Sequence, residues 1–558
     1  MKVVIVGGVA GGASAAARLR RLDEKAEIVM LERGPYISFA NCGLPYYIGG
    51  EIKKKSALTL QTPQSFKSRF NVDVRVNSEV TAIHTAEKTV TVRTAEGEYE
   101  ESYDKLILSP GAAPIVPPLP GVDNERVFTL RNIPDTEKIR EYVEEEFPDS
   151  AVVIGGGYIG VEMAENLKKS GVETTIVELS DHLIAPLDYD MACEVHQYAR
   201  SQGLNLVLNN GVTAIEEKGG KLCVKLSNGE LETDMVILSV GVRPDTALAK
   251  DAGLALNARG AILTDAHMLT SNPDIYAVGD AVEITDFVTK QKGYIPLAGP
   301  ANKQGRIAAD NLCGIPSEYK QTQGSSVLKL FDMTIAMTGV NERTAKAAGL
   351  HYDRMYTYNQ SHASYYPGGH GISMKVLYEK GTGRLLGAQL VGYDGVDKRC
   401  DVLAVAIRAG LTASDLTELE LCYAPPFGSA KDPVNYAGYA IENVLTGKIK
   451  TFHWDEVASL PRDGSVTLLD VRTAAERANG CIDGFIGIPV DELREHISEL
   501  DPKKPIYVHC QSGLRSYIAC RILAGYGFDC YNLTGGWRFY NLVVNEKKAA
   551  DHPCYEPV

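Results

Sequence analysis

Two segments of this 558-residue chain repeat one pattern, and that pattern limits the fold more than any other feature. In the first, the apolar run 3–6 leads into Gly7-Gly8-Val9-Ala10-Gly11-Gly12. A helix-favouring stretch, 13–21, and a second apolar run, 28–31, then close on Glu32. In the second, a strand-like run from Ala151 leads into Gly155-Gly156-Gly157-Tyr158-Ile159-Gly160. A helical stretch and the run 174–177 then close on Glu178. Short continuous apolar runs suit parallel strands buried on both faces. A glycine turn between strand and helix lets a pyrophosphate rest against the free N–H groups of the helix N-terminus. An acid about 20 residues further on reaches the ribose hydroxyls. The second copy is complete, whereas Val9 stands in the first where the second has Gly157. One copy alone also fits a tight turn without a ligand. Two copies, each with its acid, predict two dinucleotide-binding βαβ units.

At about 150 residues per domain, three or four domains are expected. Pro114, Pro117, Pro118 and Pro120 mark a crossover, and 72–80 and 222–226 read as β-rich. Another mixed unit starts with the strand-like run 326–331, and the composition changes character near 448–454. The last hundred residues show a smaller α/β rhythm: apolar runs at 467–471 and 506–509, then a helix-like 515–525. Lys plus Arg is 57 against 71 Asp plus Glu, a net charge of −14, which disfavours nucleic acid and anionic membranes as partners. No apolar run approaches the roughly 20 residues that span a bilayer, and the N-terminus does not read as a signal peptide. The 11 cysteines are an odd number at no metal-ligand spacing. They point to a reducing compartment, the cytoplasm, with neither metal site nor disulfide framework.

Thr264-Asp265 and Asn272-Pro273-Asp274-Ile275-Tyr276-Ala277-Val278-Gly279-Asp280 resemble the second flavin-binding signature of two-dinucleotide flavoproteins. Ser109-Pro110-Gly111-Ala112 and Val240-Gly241-Val242-Arg243-Pro244 resemble the crossover motifs of that group. The resemblance implies FAD at the first unit, contacted by Gly7, Gly8, Ala10, Gly11, Gly12, Glu32, Arg33, Asn41, Val80, Ser109, Gly111, Asp280 and Ala298, with Asp280 on the ribityl chain. It implies a nicotinamide nucleotide at Gly155, Gly157, Tyr158, Ile159, Gly160, Glu178 and Gly241. Glu178 accepts hydrogen bonds from a free 2′-hydroxyl and repels a 2′-phosphate, so NADH is expected over NADPH.

Just after the first unit comes Ser38-Phe39-Ala40-Asn41-Cys42-Gly43-Leu44-Pro45-Tyr46-Tyr47. This segment resembles that of the coenzyme A-disulfide reductases, single-cysteine members of the pyridine nucleotide-disulfide oxidoreductases. Tyr46 and Tyr47 stand where dithiol relatives carry a second cysteine, so Cys42 needs a substrate sulfur as its redox partner. As a thiolate it is both nucleophile and electron carrier. The resemblance implies hydride transfer from NADH to FAD and electrons onward to Cys42. It also implies a homodimer. Ser364-Tyr365-Tyr366-Pro367-Gly368 and Leu421-Cys422-Tyr423-Ala424-Pro425-Pro426 resemble family segments whose tyrosines, here Tyr365 and Tyr423, reach the redox cysteine from the partner subunit. Taken without the family, both are ordinary loop or core tyrosines. The family's coenzyme A contacts fall on Ser14, Arg18, Arg21, Ser38 and Asn41, and more loosely on Asn302 and Lys431. Arg18 and Arg21, a turn apart, are placed to clamp phosphates or simply to face solvent. Phe70, flanked by Lys67 and Arg69, stands where the family has a lysine. Ala10 replaces the histidine of related NADH peroxidases, which weighs against peroxide cleavage.

Near the C-terminus, His509-Cys510-Gln511-Ser512-Gly513-Leu514-Arg515-Ser516 follows an apolar run and opens a helix. Such a loop wraps N–H groups around the sulfur, and Arg515 and the helix dipole are expected to lower its pKa. It resembles the rhodanese active loop, shorter by one residue than the phosphate-seating loop of dual-specificity phosphatases, with Asp470 in the matching upstream strand. The resemblance implies persulfide chemistry at Cys510, in a loop of Gln511, Ser512, Gly513, Leu514 and Arg515. Cys481 reads as a packing replacement or a second redox thiol, and Cys520 and Cys530 as core thiols.

The expected chain is therefore α/β throughout. Two Rossmann-like domains, FAD-binding 1–115 with 250–325 and NAD(H)-binding 116–249, precede an α+β dimerisation domain, 326–445, and a rhodanese-like domain, 455–555. The combination implies reduction by NADH of persulfides, polysulfides, or coenzyme A persulfide or disulfide, with coenzyme A as substrate or carrier. The alternative is a sulfurtransferase or docking module joined to an accessory oxidase- or peroxidase-like flavoprotein.

Overall fold

The computed structural model describes residues 1–551. The chain divides into two compact units, Met1–Leu179 with Leu204–Gly324, and Ser180–Gly203 with Ser325 onward. The end of the expected rhodanese-like segment, 552–555, lies outside the described residues.

In the first unit, Lys2–Val6 is the central strand of a parallel sheet ordered Ile275–Ala277, Lys105–Leu108, Lys2–Val6, Glu27–Leu31, Asp73–Arg75. Val3, Val4 and Ile5 are fully buried, as a strand covered on both faces requires. A second parallel sheet runs Asn205–Val207, Glu173–Val177, Ser150–Ile154, Met235–Leu238, Val127–Thr129. Both glycine turns lie between a central strand and a helix, Ala10–Leu22 in one and Tyr158–Lys169 in the other. The first glycines, Gly7 at φ +98° and Gly155 at φ +103°, adopt a backbone that disfavours any side chain. A Cβ on Gly12 or Gly160 would overlap the carbonyl of Gly7 or Gly155. Val9, at the place corresponding to Gly157, is the N-cap of its helix with φ −98°, a backbone open to any residue. The two crossover segments pair with each other, Ala112–Pro114 antiparallel to Val242–Pro244.

The second unit holds an antiparallel sheet ordered Ser326–Leu330, Met333–Gly339, Leu385–Gly392, Gly371–Glu379, Tyr352–Gln360. Its parallel sheet runs Lys450–Phe452, Cys530–Leu533, Ile506–His509, Thr467–Asp470, Ile486–Gly487. The edge strand Lys450–Phe452 precedes residue 455; three residues are too few to leave a readable pattern. The helix Tyr189–Ser201 also belongs to this unit. Polar contacts join these parts: His453 meets Asp353 at 3.0 Å, and Arg538 donates to Glu194 at 2.6 Å and to Ser373 at 2.7 Å. Among the described residues, no helix is long and apolar enough to cross a membrane.

Candidate active sites

Each turn's acid is fixed beside its glycines. Glu32 accepts from the N–H groups of Gly8 and Gly34, both at 2.8 Å, and Glu178 accepts from Gly156 N–H at 2.6 Å. Around the first turn, the Ser109 carbonyl approaches Gly7, and Gly111, at φ +74°, lies against the Arg131 guanidinium. Burial pushes the Asp280 carboxyl up, and the Arg131 charge opposes it. Among the described residues the Tyr294 hydroxyl is buried with no hydrogen-bond partner, and burial followed by the Asp280 charge raises its pKa. A glycine-rich turn, a half-buried carboxyl and an orphaned phenol fit the phosphates and polar ring edge of a flavin nucleotide. Val80 is half-buried in a strand, Ala298 is exposed at a helix start, and Arg33 pairs with Asp245 at 2.7 Å. In the second turn Tyr158 is half-buried and Ile159 exposed, and Gly241 takes φ +110°.

Cys42 sits in the tight turn Asn41–Gly43, ahead of the helix Leu44–Ile48, and is exposed in the single chain. Lost hydration, then the Glu162 and Asp280 carboxylates, push its thiol up. Tyr46 donates to Glu162 at 3.1 Å. Burial raises the Glu162 carboxyl to about 7, with the Tyr46 bond opposing and Glu165 adding to the rise. Lys169 bridges Glu165 at 2.6 Å and Glu51 at 2.5 Å. The segment after Cys42 is thus fastened to the helix that opens on the second glycine turn.

A cavity of about 390 Å³ gathers Ser14, Arg18, Arg21, Ser38 and Asn302. Ser14 bonds Asn302, and Arg18 pairs with Asp310 at 2.7 Å. Ser38 holds a left-handed backbone, φ +43°, a strain that clusters at ligand sites. Two expected contacts are absent from the lining. The Asn41 amide is taken by Arg131, with its oxygen 2.9 Å from Nη1 and its nitrogen 3.0 Å from the carbonyl. Lys431 is exposed in the second unit. Phe70, packed on Phe66 with centroids 4.9 Å apart, makes part of the wall aromatic, and Arg306 adds a cation.

In the second unit the Tyr365 and Tyr423 hydroxyls lie 2.8 Å apart, and both rings are exposed. Arg399, fully buried, holds their loops. It donates to the Ser361 carbonyl at 2.8 Å, the Gly395 carbonyl at 3.0 Å and Asp432 at 2.8 Å.

Cys510 is buried at the end of the strand Ile506–His509. Its Sγ accepts from Gly513 N–H at 3.1 Å and from the Ser516 hydroxyl at 3.3 Å. Gly513 makes the turn at φ +105°. The Cys510 and Gln511 carbonyls accept from Trp537 and Arg538 N–H at 2.8 and 2.9 Å. The backbone of Gln511 and Ser512 packs on Gly536, and Leu514 is exposed. Arg515 departs from the simple expectation: its guanidinium is engaged by Glu476 at 2.8 and 2.5 Å. Asp470, fully buried, pairs with Arg472 at 2.8 Å and lies 3.5 Å from His509, the neighbour of Cys510. Cys481 is exposed, whereas Cys520 and Cys530 are buried.

Burial of His509 lowers its pKa from 6.5 to about 4. The unfolded ring takes its proton first, so stability is complete above about 6.5 and drains away as pH falls towards 4. The loss attributable to this ring is about 3 kcal/mol. Urea unfolding at neutral and mildly acid pH should show a shallower pH slope in His509→Asn than in the wild type; equal slopes would contradict this.

Two dinucleotide units joined by paired crossover strands, with one cysteine beside the first, define the flavin-dependent oxidoreductases that use nicotinamide nucleotides. Residues 1–305 match the pyridine nucleotide-disulphide oxidoreductases, 325–433 their dimerisation domain, and 453–541 the rhodanese-like domain. The chain belongs to the pyridine nucleotide-disulphide oxidoreductases, and FAD and a nicotinamide nucleotide follow as its cofactors. It is 35% identical over 441 residues to the coenzyme A disulfide reductase of Staphylococcus haemolyticus strain JCSC1435, covering 78% of this chain and 98% of that one. The structure of reduced Bacillus anthracis CoADR-RHD superposes with a TM-score of 0.95 at 50% identity, covering 98% of each chain. A NAD-dependent persulfide reductase from A. fulgidus superposes with a TM-score of 0.91 at 39% identity, covering 97% of this chain and 100% of that one.

Proposed function

We propose that this chain uses NADH to reduce the sulfur–sulfur bonds of persulfides, polysulfides, or coenzyme A persulfide or disulfide. The observation that carries the reading is a lone Cys42 whose own segment supplies Ser38 to a basic and aromatic cavity. The names of the Staphylococcus haemolyticus and A. fulgidus relatives support the same chemistry. FAD supplies two-electron chemistry between nicotinamide and thiol, and its contacts are those around the first turn, chiefly Glu32, Asp280 and Arg131. Cys42 attacks the substrate S–S bond as a thiolate, forming a mixed disulfide and expelling a thiol. For a persulfide the net reaction consumes NADH, a proton and RSSH, and yields NAD+, RSH and hydrogen sulfide. Arg21, Arg306 and the Nη groups of Arg18, whose Nε is held by Asp310, bind substrate phosphates in the cavity. Tyr365 and Tyr423 serve the Cys42 of a second subunit in a homodimer, donating a hydrogen bond or a proton to the leaving sulfur. Their exposure, with Phe427 also exposed nearby in sequence, suits a face covered by a second copy. Cys510 carries sulfane sulfur.

Anaerobic NADH consumption with each substrate tests the proposal. Oxidation with oxygen alone, and with no S–S compound, would replace it with the oxidase reading. Glu178 should favour NADH over NADPH by at least about tenfold in kcat/KM, since a 2′-phosphate would face a carboxylate. Glu178→Gln should narrow that ratio, and an unchanged ratio would remove Glu178 as its cause.

A further inference from the structure

Arg515 is the one cation within the loop 510–515, and it does not stand free. Nη1 and Nη2 donate to the two oxygens of Glu476 at 2.8 and 2.5 Å. Glu476 is itself fixed by Thr473, whose N–H and hydroxyl each reach Oε2 at 3.0 Å, in the capping box of the helix Ala474–Ala478. Arg515 holds the Glu476 carboxyl down to about 2, so both groups stay charged at working pH. The Cys510 sulfur meanwhile draws its hydrogen bonds from two neutral donors, Gly513 N–H and the Ser516 hydroxyl. Leu514, on the same loop, is 56% exposed and gives the mouth an apolar rim.

Sulfane transfer to this loop breaks the donor S–S bond and forms one to Cys510. The electron pair of the broken bond leaves with the donor residue. An organic persulfide expels a thiolate with one negative charge, which is readily protonated. Thiosulfate is a dianion and expels sulfite, so it needs an uncommitted cation at the mouth. Arg515 is already committed, and the added carboxylate repels a dianion.

We infer that Glu476 is a specificity-determining residue of the Cys510 loop: it excludes thiosulfate and leaves organic persulfides as the sulfur donors. This rests on the reading of Cys510 as a sulfur carrier.

The test uses the full-length holoenzyme without NADH, so the flavin reaction does not enter. Loading is followed as the mass gain of one sulfur on the peptide that carries Cys510, from 2-hydroxyethyl persulfide, which has no other charged group, or from thiosulfate. Glu476→Ser removes the charge but keeps the cap, because Ser65 fills the same position opposite Thr62, with bonds of 2.9 and 3.1 Å. Wild type should load at least about tenfold faster from the persulfide. In Glu476→Ser the thiosulfate-to-persulfide rate ratio should rise about tenfold or more. Glu476→Gln should behave alike. An unchanged ratio, or parallel loss of both rates in the two variants, overturns the inference and makes Glu476 purely structural. A wild type that loads from neither donor overturns the carrier reading instead.

Discussion

Cys42→Ser is expected to lower NADH-dependent turnover with every S–S substrate by roughly 10³-fold or more, the scale of removing a nucleophile. A serine hydroxyl neither attacks a disulfide at neutral pH nor accepts a sulfur–sulfur bond in return. The flavin should remain bound, because Glu32, Asp280, Arg131 and the glycine turn are untouched. Stopped-flow nicotinamide oxidation, normalised to flavin content, makes the measurement. Residual activity above about a hundredth of wild type would contradict Cys42 as the redox thiol. Cys510→Ser gives the contrasting result. It should slow only those substrates whose sulfur enters through the Cys510 loop, and leave coenzyme A disulfide reduction intact. No effect on any substrate would end the idea of a sulfur relay between the two cysteines.

The parts of this architecture that were legible in the sequence are those a local backbone constraint imposes. Gly7 and Gly155 occupy positive φ, Gly12 and Gly160 leave room for a carbonyl, and Glu32 and Glu178 follow at fixed spacing. The loop around Cys510 was legible for the same reason, since Gly513 and the helix start at Leu514 shape it. The gaps fall where function depends on partners far apart in the chain. Arg131 engages Asn41, and Glu476 engages Arg515 across 39 positions. Glu162 meets Tyr46 across 116 positions. Glu162 left one faint signal, an acid one turn beyond Tyr158 in a helix whose residues 163–167 are buried. The place of Asn41 in the motif was legible, but not that Arg131 would bond its amide.

Lys375→Met should produce the largest loss of stability. Lys375 is fully buried in the strand Gly371–Glu379, with its Nζ 2.9 Å from Asp190, 2.9 Å from Asp188 and 2.6 Å from Glu342. Asp190 also accepts from the Tyr356 hydroxyl and from Trp454 Nε1, the latter at 3.0 Å. Methionine matches the aliphatic stem but leaves the carboxylates without their cation. Removing one partner of a buried pair costs about 3–5 kcal/mol. Arg354, 2.6 Å from Glu342, relieves only that member of the cluster. Buried ions of this kind are weak evidence for stability, but they specify one arrangement over others. Here the arrangement joins the helix Tyr189–Ser201, the antiparallel sheet and the turn Trp454–Ser459 that enters the rhodanese-like segment. The chain has 2 tryptophans, Trp454 and Trp537, so tryptophan fluorescence, excited selectively, reports on that segment. In urea the Lys375→Met fluorescence transition should move to lower denaturant and separate from the far-ultraviolet transition, as docking is lost before the sheets. A shift worth less than about 1 kcal/mol would mean that the carboxylates find protons or water, and that apolar contacts hold the rhodanese-like segment in place.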